Sequence, residues 1–458
     1  MFRVNIFRSL YVLTITALLL PSVSSQKSHV ASTPPMGWNS WDAYGLTIDE
    51  AQFRDNVKIL AGMKQYGWQY AVIDEGWYMR DPFGANTVAQ KFLYDANGLL
   101  VPVVSRFPSS AATSGFKPLA DWVHSLGLKF GIHILRGIPK QVVDENLPVA
   151  SSNFHAADAG DKSSTCPWSD ANYGVQDNAA GQAYYDSMIK RYAEWGVDYI
   201  KVDCISDRPY RLTEIRQIAE AIHKSGRPMV LSLSPGPTAL DHAAEVAKYA
   251  HMWRITDDHW DGWTYKDKTG EYPFGLSEEF DRIAEWNQYV RPGSWPDPDM
   301  LPEGWLGPNP GKDKERHTNY TPEEERTEFT LWAISRSPLI FGGNLTKMDD
   351  LTKSMMTNKQ ILDLDQHAVD SGPALMPLSE GKPLPWRAWY ITGHSNKSYA
   401  AVFNLSDGPL TLDIPWRSLH VTAKHHKAFD IWNQKQIPAA NALHIELPPH
   451  GCAVYLVK

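Results

Sequence analysis

The chain has 458 residues and a net charge of −8, from 44 basic and 52 acidic side chains. That length exceeds one ordinary core but suits a barrel of about 250–330 residues with a smaller module beside it. The mild acidity leaves no basic footprint for nucleic acid, and the scattered histidines form no Cys/His ligand cluster, which argues against a resident metal. The 18 Trp and 20 Tyr fit either sugar stacking or a large core built from bulky residues.

At the N-terminus, Arg3 and Arg8 precede an apolar run from Leu10 to Leu20, followed by the small residues Val23, Ser24 and Ser25. The run is too short to span a bilayer, so residues 1–25 read as a secretory signal peptide. The expected location is secreted or periplasmic, and no later segment reads as a membrane span. Export permits disulfides, but Cys166, Cys204 and Cys452 cannot all pair. Cys166 with Cys204 is the candidate bridge; three free thiols are the alternative.

Short apolar runs then alternate with helical patterns. The strands fall at Pro34–Ser40, Tyr70–Asp74, Lys129–Ile134, Asp198–Asp203, Met229–Leu233, His251–Thr256, Trp295–Met300 and Pro338–Gly342. Amphipathic segments at 115–127, 179–195 and 210–225 lie between some of them. Eight strand–helix units predict a closed parallel (β/α)8 barrel of the TIM type over residues 26–365. Segment 138–178 is a long polar insertion after the third strand, of the kind that shapes a pocket. Beyond about residue 365 the pattern becomes alternating, with runs at 386–390, 399–404, 410–414, 428–432, 443–447 and 453–457. Residues 366–458 therefore read as an antiparallel β-sandwich. Sequons stand at Asn319, Asn344, Asn396 and Asn404.

Charged residues gather at the C-terminal ends of the barrel strands: Asp74, Glu75, Lys201, Asp203, Arg254 and Asp258. In a TIM barrel those ends share one face, where active sites lie. Each charge alone reads as a strand end or loop cap; six together point to a cavity. Cleaving a glycosidic bond takes two carboxyl groups flanking the anomeric carbon. Lys201, two residues before Asp203, points to the same side of its strand and keeps that aspartate ionised. Asp258, four residues after Arg254, has Trp260 and Trp263 nearby to raise its pKa.

Five motifs in this order resemble glycoside hydrolase family 27, typified by α-galactosidases. They are Pro35-Met36-Gly37-Trp38-Asn39-Ser40-Trp41, Ile73-Asp74-Glu75-Gly76-Trp77, Lys201-Val202-Asp203-Cys204, Trp253-Arg254-Ile255-Thr256-Asp257-Asp258 and Trp295-Pro296-Asp297-Pro298-Asp299-Met300-Leu301. The resemblance implies an exo-acting retaining hydrolase with no cofactor, with Asp203 as nucleophile and Asp258, rather than Asp257, as acid/base. It implies that Lys201 and Arg254 bind hydroxyls or the nucleophile, that Trp41 stacks on the sugar, and that Asp74 binds the axial 4-hydroxyl of galactose. Trp295 and Met300 would line the pocket wall.

Three departures bear on the substrate. The family usually has a second aspartate where this chain has Glu75. The extra methylene should intrude on the space for the galactose hydroxymethyl group, which β-L-arabinopyranose lacks, so arabinopyranosidase or dual activity is expected. The family's Cys-Glu-Trp after strand five is replaced around Ser234, where small residues would admit a 2-acetamido group as in α-N-acetylgalactosaminidases. His133 stands where the family has Tyr. The expected partners are oligosaccharides or polysaccharide side chains ending in galactose or arabinopyranose. A non-catalytic sugar-binding protein is the alternative from another class.

Overall fold

The computed structural model describes residues 30–82, 92–112, 115–266, 268, 271–307, 314–374, 384–394, 397–421 and 426–457. The signal peptide expected over 1–25 and the sequon at Asn396 lie outside the described residues.

Eight parallel strands alternate with helices. The strands are β1 (Met36–Asn39), β2 (Tyr70–Ile73), β3 (Lys129–Leu135), β4 (Tyr199–Asp203), β5 (Val230–Leu233), β6 (Met252–Arg254), β7 (Trp295–Asp297) and β8 (Leu339–Phe341). They pair in the order β7-β6-β5-β4-β3-β2-β1-β8. The seam between β7 and β8 is made by Leu301, whose N–H donates to the Ile340 carbonyl while its own carbonyl accepts from Gly342. This is the expected TIM barrel. The helices that follow the strands are α1 (Glu50–Gly62), α2 (Lys117–Ser125), α3 (Ala179–Trp195), α4 (Leu212–Ser225), α5 (Ala243–Tyr249), α6 (Leu276–Trp286), α7 (Pro322–Ile334) and α8 (Lys359–His367).

Local chemistry sets these elements. Asp49 and Gln52 form a capping box at the start of α1, and Thr321 with Glu324 does the same for α7, where Pro322 sits in the first turn. Phe53, Val57 and Leu60 form the buried stripe of α1. Barrel strands have two covered faces, so they read as short apolar runs rather than clean alternations.

The strand period of two also divides the barrel interior along its axis. Inward residues at the strand starts, Tyr70, Tyr199, Val230, Met252 and Trp295, pack into one apolar cluster. Further along, the inward positions become polar: Asp74 beyond Val72, Lys201 and Asp203 beyond Tyr199, Ser232 and Ser234 beyond Val230, and Arg254 beyond Met252. The interior thus passes from apolar at the N-terminal end to charged at the C-terminal end.

The C-terminal part is antiparallel, as expected. Strands β9 (Asp370–Pro373), β10 (Trp386–Thr392), β11 (Ser398–Asn404), β12 (Leu410–Pro415), β13 (His426–Asp430), β14 (Lys435–Ala440), β15 (Ala442–Leu447) and β16 (Cys452–Val457) form two sheets. Six strands run in the order β9-β10-β11-β16-β13-β14, and β12 pairs with β15. Ala388, Ala400, Val402, Ala453 and Tyr455 face Ile414, Leu443, Ile445 and Leu447 across the sandwich. The alternate residues Trp389, Ala401, Phe403 and Val454 join the barrel core. Phe280 of α6 packs its ring against Trp389 and Phe403, and Trp432 donates to the Thr330 hydroxyl of α7. The six-stranded sheet is therefore covered on both faces. Of the sequons, Asn344 and Asn404 are buried and bonded to their own turns, whereas Asn319 is exposed.

Candidate active site

A cavity of about 350 Å3 opens at the C-terminal end of the barrel. It is lined by ten of the eleven residues read from sequence as catalytic or sugar-binding: Trp41, Asp74, Glu75, His133, Lys201, Asp203, Ser234, Arg254, Asp258 and Met300. Seven strands or the loops just after them contribute. Barrel closure alone brings together residues as far apart as Trp41 and Met300.

One wall carries Asp74 and Lys201. Lys201 Nζ lies 2.9 Å from Asp74 Oδ2, and the same oxygen accepts from Asn39 Nδ2 at 2.7 Å. Burial pushes the Asp74 carboxyl up, but Lys201 and His133 outweigh it and hold the pKa at about 2. Its neighbour Glu75 is set the other way. Burial, against His133 and reinforced by Asp203 and Asp74, raises Glu75 to about 7.

Asp203 ends β4. Its Oδ1 accepts the Cys204 N–H at 2.7 Å, and its Oδ2 stands 3.5 Å from His133 Nε2. Burial opposes ionisation here too, yet His133, Lys201 and the Cys204 amide together hold the carboxyl below its ordinary value. Asp258 sits opposite in character. Arg254 Nη1 is 3.2 Å from Asp258 Oδ1, but burial, with Asp203 and Asp257 adding, outweighs that cation and raises the carboxyl. The Asp258 side chain keeps 46% of its surface open, so it faces the cavity. Two carboxyl groups in one cavity, one held ionised and one inclined to keep its proton, can serve as nucleophile and acid.

Residues 171–367 match the family described as alpha galactosidase A, and residues 385–457 match the alpha galactosidase C-terminal beta sandwich domain. Alpha-galactosidase A of Cellvibrio japonicus is 30% identical over 464 residues, covering 96% of each chain. The crystal structure of a family 27 β-L-arabinopyranosidase from Geobacillus stearothermophilus superposes with a TM-score of 0.85 at 39% identity, covering 93% of this chain and 97% of that one. The chain belongs to glycoside hydrolase family 27. An α-galactosidase of Oryza sativa subsp. japonica, 26% identical, matches over 93% of this chain and 84% of its own.

For this family 27 hydrolase one expected site residue needs correction. Trp295 does not line the cavity. It begins β7 in the apolar cluster at the barrel's N-terminal end, where its indole N–H donates to the Ala31 carbonyl at 2.8 Å. The wall position belongs to Asp299, four residues on and past the end of that strand. The bridge between Cys166 and Cys204 is present; Cys452 stands outside it.

Several further residues line or back the site. Asp299 Oδ2 lies 2.7 Å from Arg254 Nη2 and accepts the His259 N–H at 3.0 Å. His259 in turn stands between two helices: Nε2 is 2.6 Å from Glu328 of α7, and Nδ1 is 3.2 Å from Glu279 of α6. All three of these side chains are fully buried. Arg254 is thus backed by an internal chain of carboxyl groups and one imidazole. Arg208, Asp42, Trp168, Trp260 and Tyr272 also reach the cavity. Trp168 was legible as a residue of the long insertion and Trp260 as a neighbour of Asp258; Arg208, Asp42 and Tyr272 follow from how the loops pack.

Proposed function

We propose that this hydrolase is an exo-acting retaining enzyme with Asp203 as nucleophile and Asp258 as acid/base. The observation that carries the assignment is the opposite electrostatic setting of the two carboxyl groups. Asp203 attacks the anomeric carbon while Asp258 donates its proton to the departing glycosidic oxygen, leaving a glycosyl ester on Asp203. The resulting Asp258 carboxylate then takes a proton from water as that water attacks the same carbon. The C–O bond to Asp203 breaks, and the sugar leaves with its anomeric configuration retained. Lys201 and Asp74 hold sugar hydroxyls, and Trp41 offers its face to the ring. His133 and Lys201 keep Asp203 ionised before attack.

The sugar we favour is β-L-arabinopyranose, with α-D-galactose as a second substrate. Glu75 lies beside Asp74 on the cavity wall, and its extra methylene takes space that the hydroxymethyl group of galactose would need. The 39% identity to a chain named as a β-L-arabinopyranosidase supports the same reading. The natural substrates would be oligosaccharide or polysaccharide side chains that end in these sugars. A disulfide and the apolar N-terminus support a secreted or periplasmic location. We also assign residues 26–365 to the catalytic unit and 366–458 to the sandwich.

Matched 4-nitrophenyl glycosides test the sugar. The wild type should have a higher kcat/KM for β-L-arabinopyranoside than for α-D-galactoside, and Glu75→Asp should move the ratio toward galactoside by about 10–200-fold, the worth of one methylene. A strong galactoside preference that Glu75→Asp leaves unmoved would refute it. Turnover of the N-acetylgalactosaminide would redirect the assignment to the small residues Ser234 and Pro235, which line the cavity. Proton NMR of the first-formed anomer decides retention.

A further inference from the structure

We infer that the buried Arg136–Glu214 pair positions the proposed nucleophile: Arg136 holds the chain at Cys204 in the turn that aims its N–H at Asp203 Oδ1 and leaves Oδ2 for attack. This rests on the assignment of Asp203 as nucleophile.

The chain turns sharply as β4 ends. Cys204 has a φ of +63°, a left-handed conformation that a residue with a side chain keeps only where its surroundings impose it. In that turn the Cys204 N–H donates to Asp203 Oδ1 at 2.7 Å. Three ties impose it. The Cys204 side chain is bridged to Cys166. The Arg136 backbone N–H donates to the Asp203 carbonyl at 3.1 Å, which is the oxygen of the same peptide that carries the Cys204 N–H. Arg136 Nε donates to the Cys204 carbonyl at 2.6 Å. One residue, directly after β3, therefore holds two successive peptides beside Asp203.

Arg136 is itself fixed. Its Nη2 donates to the carbonyl of Thr165, the residue before Cys166, at 3.0 Å. The same guanidinium thus bonds the backbone on both sides of the bridge. Its Nη1 lies 2.7 Å from Glu214 Oε1 of α4, and the hydroxyl of Tyr185 from α3 donates to Glu214 Oε2 at 2.6 Å. Arg136 is 2% exposed and Glu214 is 3% exposed. A buried ion pair adds little net stability over apolar side chains of the same volume. What it supplies here is direction. The guanidinium is planar and its donors form a rigid fork, so it passes the placement of two helices to the peptide next to Asp203.

The test uses Arg136→Met and Glu214→Gln, with the 4-nitrophenyl glycoside and the glycosyl fluoride of whichever sugar the wild type turns over faster. Arg136→Met should slow the single-turnover rate at saturation by about 10^2-fold on both substrates, with half-saturation within about threefold of wild type. Glu214→Gln, nearly isosteric, should slow it by about tenfold and carries the same readouts where Arg136→Met fails to fold. Attack by Asp203 is common to both substrates, and fluoride departs without the Asp258 proton, so an equal loss points to the nucleophile.

The acid limb of kcat/KM gives a second readout. The Cys204 amide favours ionised Asp203, so loosening it should move that limb to higher pH. His133, Lys201, Glu75, Tyr78 and Asp258 also act on Asp203 or feel its charge, and both variants leave those side chains unchanged. Wild-type rates in a folded variant, an unmoved acid limb, a loss carried by half-saturation, or a loss on the 4-nitrophenyl glycoside alone would overturn the inference. Wild-type activity in Asp203→Asn would instead sink the nucleophile assignment beneath it.

Discussion

The Arg254 guanidinium stands 3.2 Å from the Asp258 carboxylate through Nη1, while its Nη2 is occupied by Asp299 at 2.7 Å. Asp258 shares its cation with a buried neighbour, and its carboxyl stays above the ordinary range.

This arrangement fixes the pH profile. In the proposed mechanism the productive free enzyme has Asp203 ionised and Asp258 protonated. Asp203 is held low and Asp258 is raised, so kcat/KM should rise with Asp203 ionisation and fall as Asp258 loses its proton. Arg254 favours the ionised form of Asp258. Arg254→Met should therefore move the alkaline limb to higher pH even as overall activity drops, whereas Arg254→Lys should keep it near the wild-type position. An alkaline limb that moves to lower pH in Arg254→Met contradicts the assignment.

The two carboxyl roles predict unequal losses. Asp203→Asn removes the proposed nucleophile and should lower kcat by at least ~10^4-fold. Asp258→Asn should cost about 10^2–10^4-fold with a sugar leaving group and less with 4-nitrophenol, which departs without full protonation. Asp257→Asn should lose much less than either. Steady-state kinetics on both leaving groups separate these outcomes.

The disulfide closes a loop with a sequence separation of 38 residues, which corresponds to about 4 kcal/mol of chain-entropy stabilisation. Reduction, or the double variant Cys166→Ala/Cys204→Ala, should lower the urea midpoint accordingly.

His259 makes a prediction about acid stability. Burial, with Arg254 adding, holds its pKa down to about 3. An unfolded histidine protonates near the ordinary 6.5. Between those values the unfolded chain binds more protons than the folded one, so stability is lost as pH falls through that window. His259→Asn should cost about 1–3 kcal/mol at pH 7, from unsatisfied carboxyl partners. It should also show a shallower loss of stability between pH 7 and 4. Urea melts at the two pH values measure both effects.

The barrel was legible because its strands are short apolar runs that end in charges, a pattern that burial on two faces imposes. Strands β9 and β14 were not. Asp370-Ser371-Gly372-Pro373 and Lys435-Gln436-Ile437-Pro438-Ala439-Ala440 contain Pro or Gly and lack clean alternation, and they form the edges of the six-stranded sheet, where Pro is tolerated. In the site, Asp203, Asp258 and Lys201 could be read because each lies within a few residues of a strand end. Trp295 was misplaced because a motif shows neighbourhood but not height along the barrel axis. Asp299 follows from the same motif once that height is known. The Glu279–His259–Glu328 cluster joins a loop to two helices, and only tertiary packing makes that connection.

The doubly covered C-terminal sheet bears on biosynthesis. A ribosome delivers α6 and α7 before any strand of that sheet exists. Until residues 386–457 emerge, Phe280 and the outer face of α7 lack the cover that Trp389, Phe403, Trp432 and β16 provide. The nascent barrel therefore carries a sticky apolar side through the last stretch of translation, and the sandwich acts as its built-in chaperone. Expression of residues 26–365 alone should yield aggregates, and co-expression with the missing segment should return soluble material.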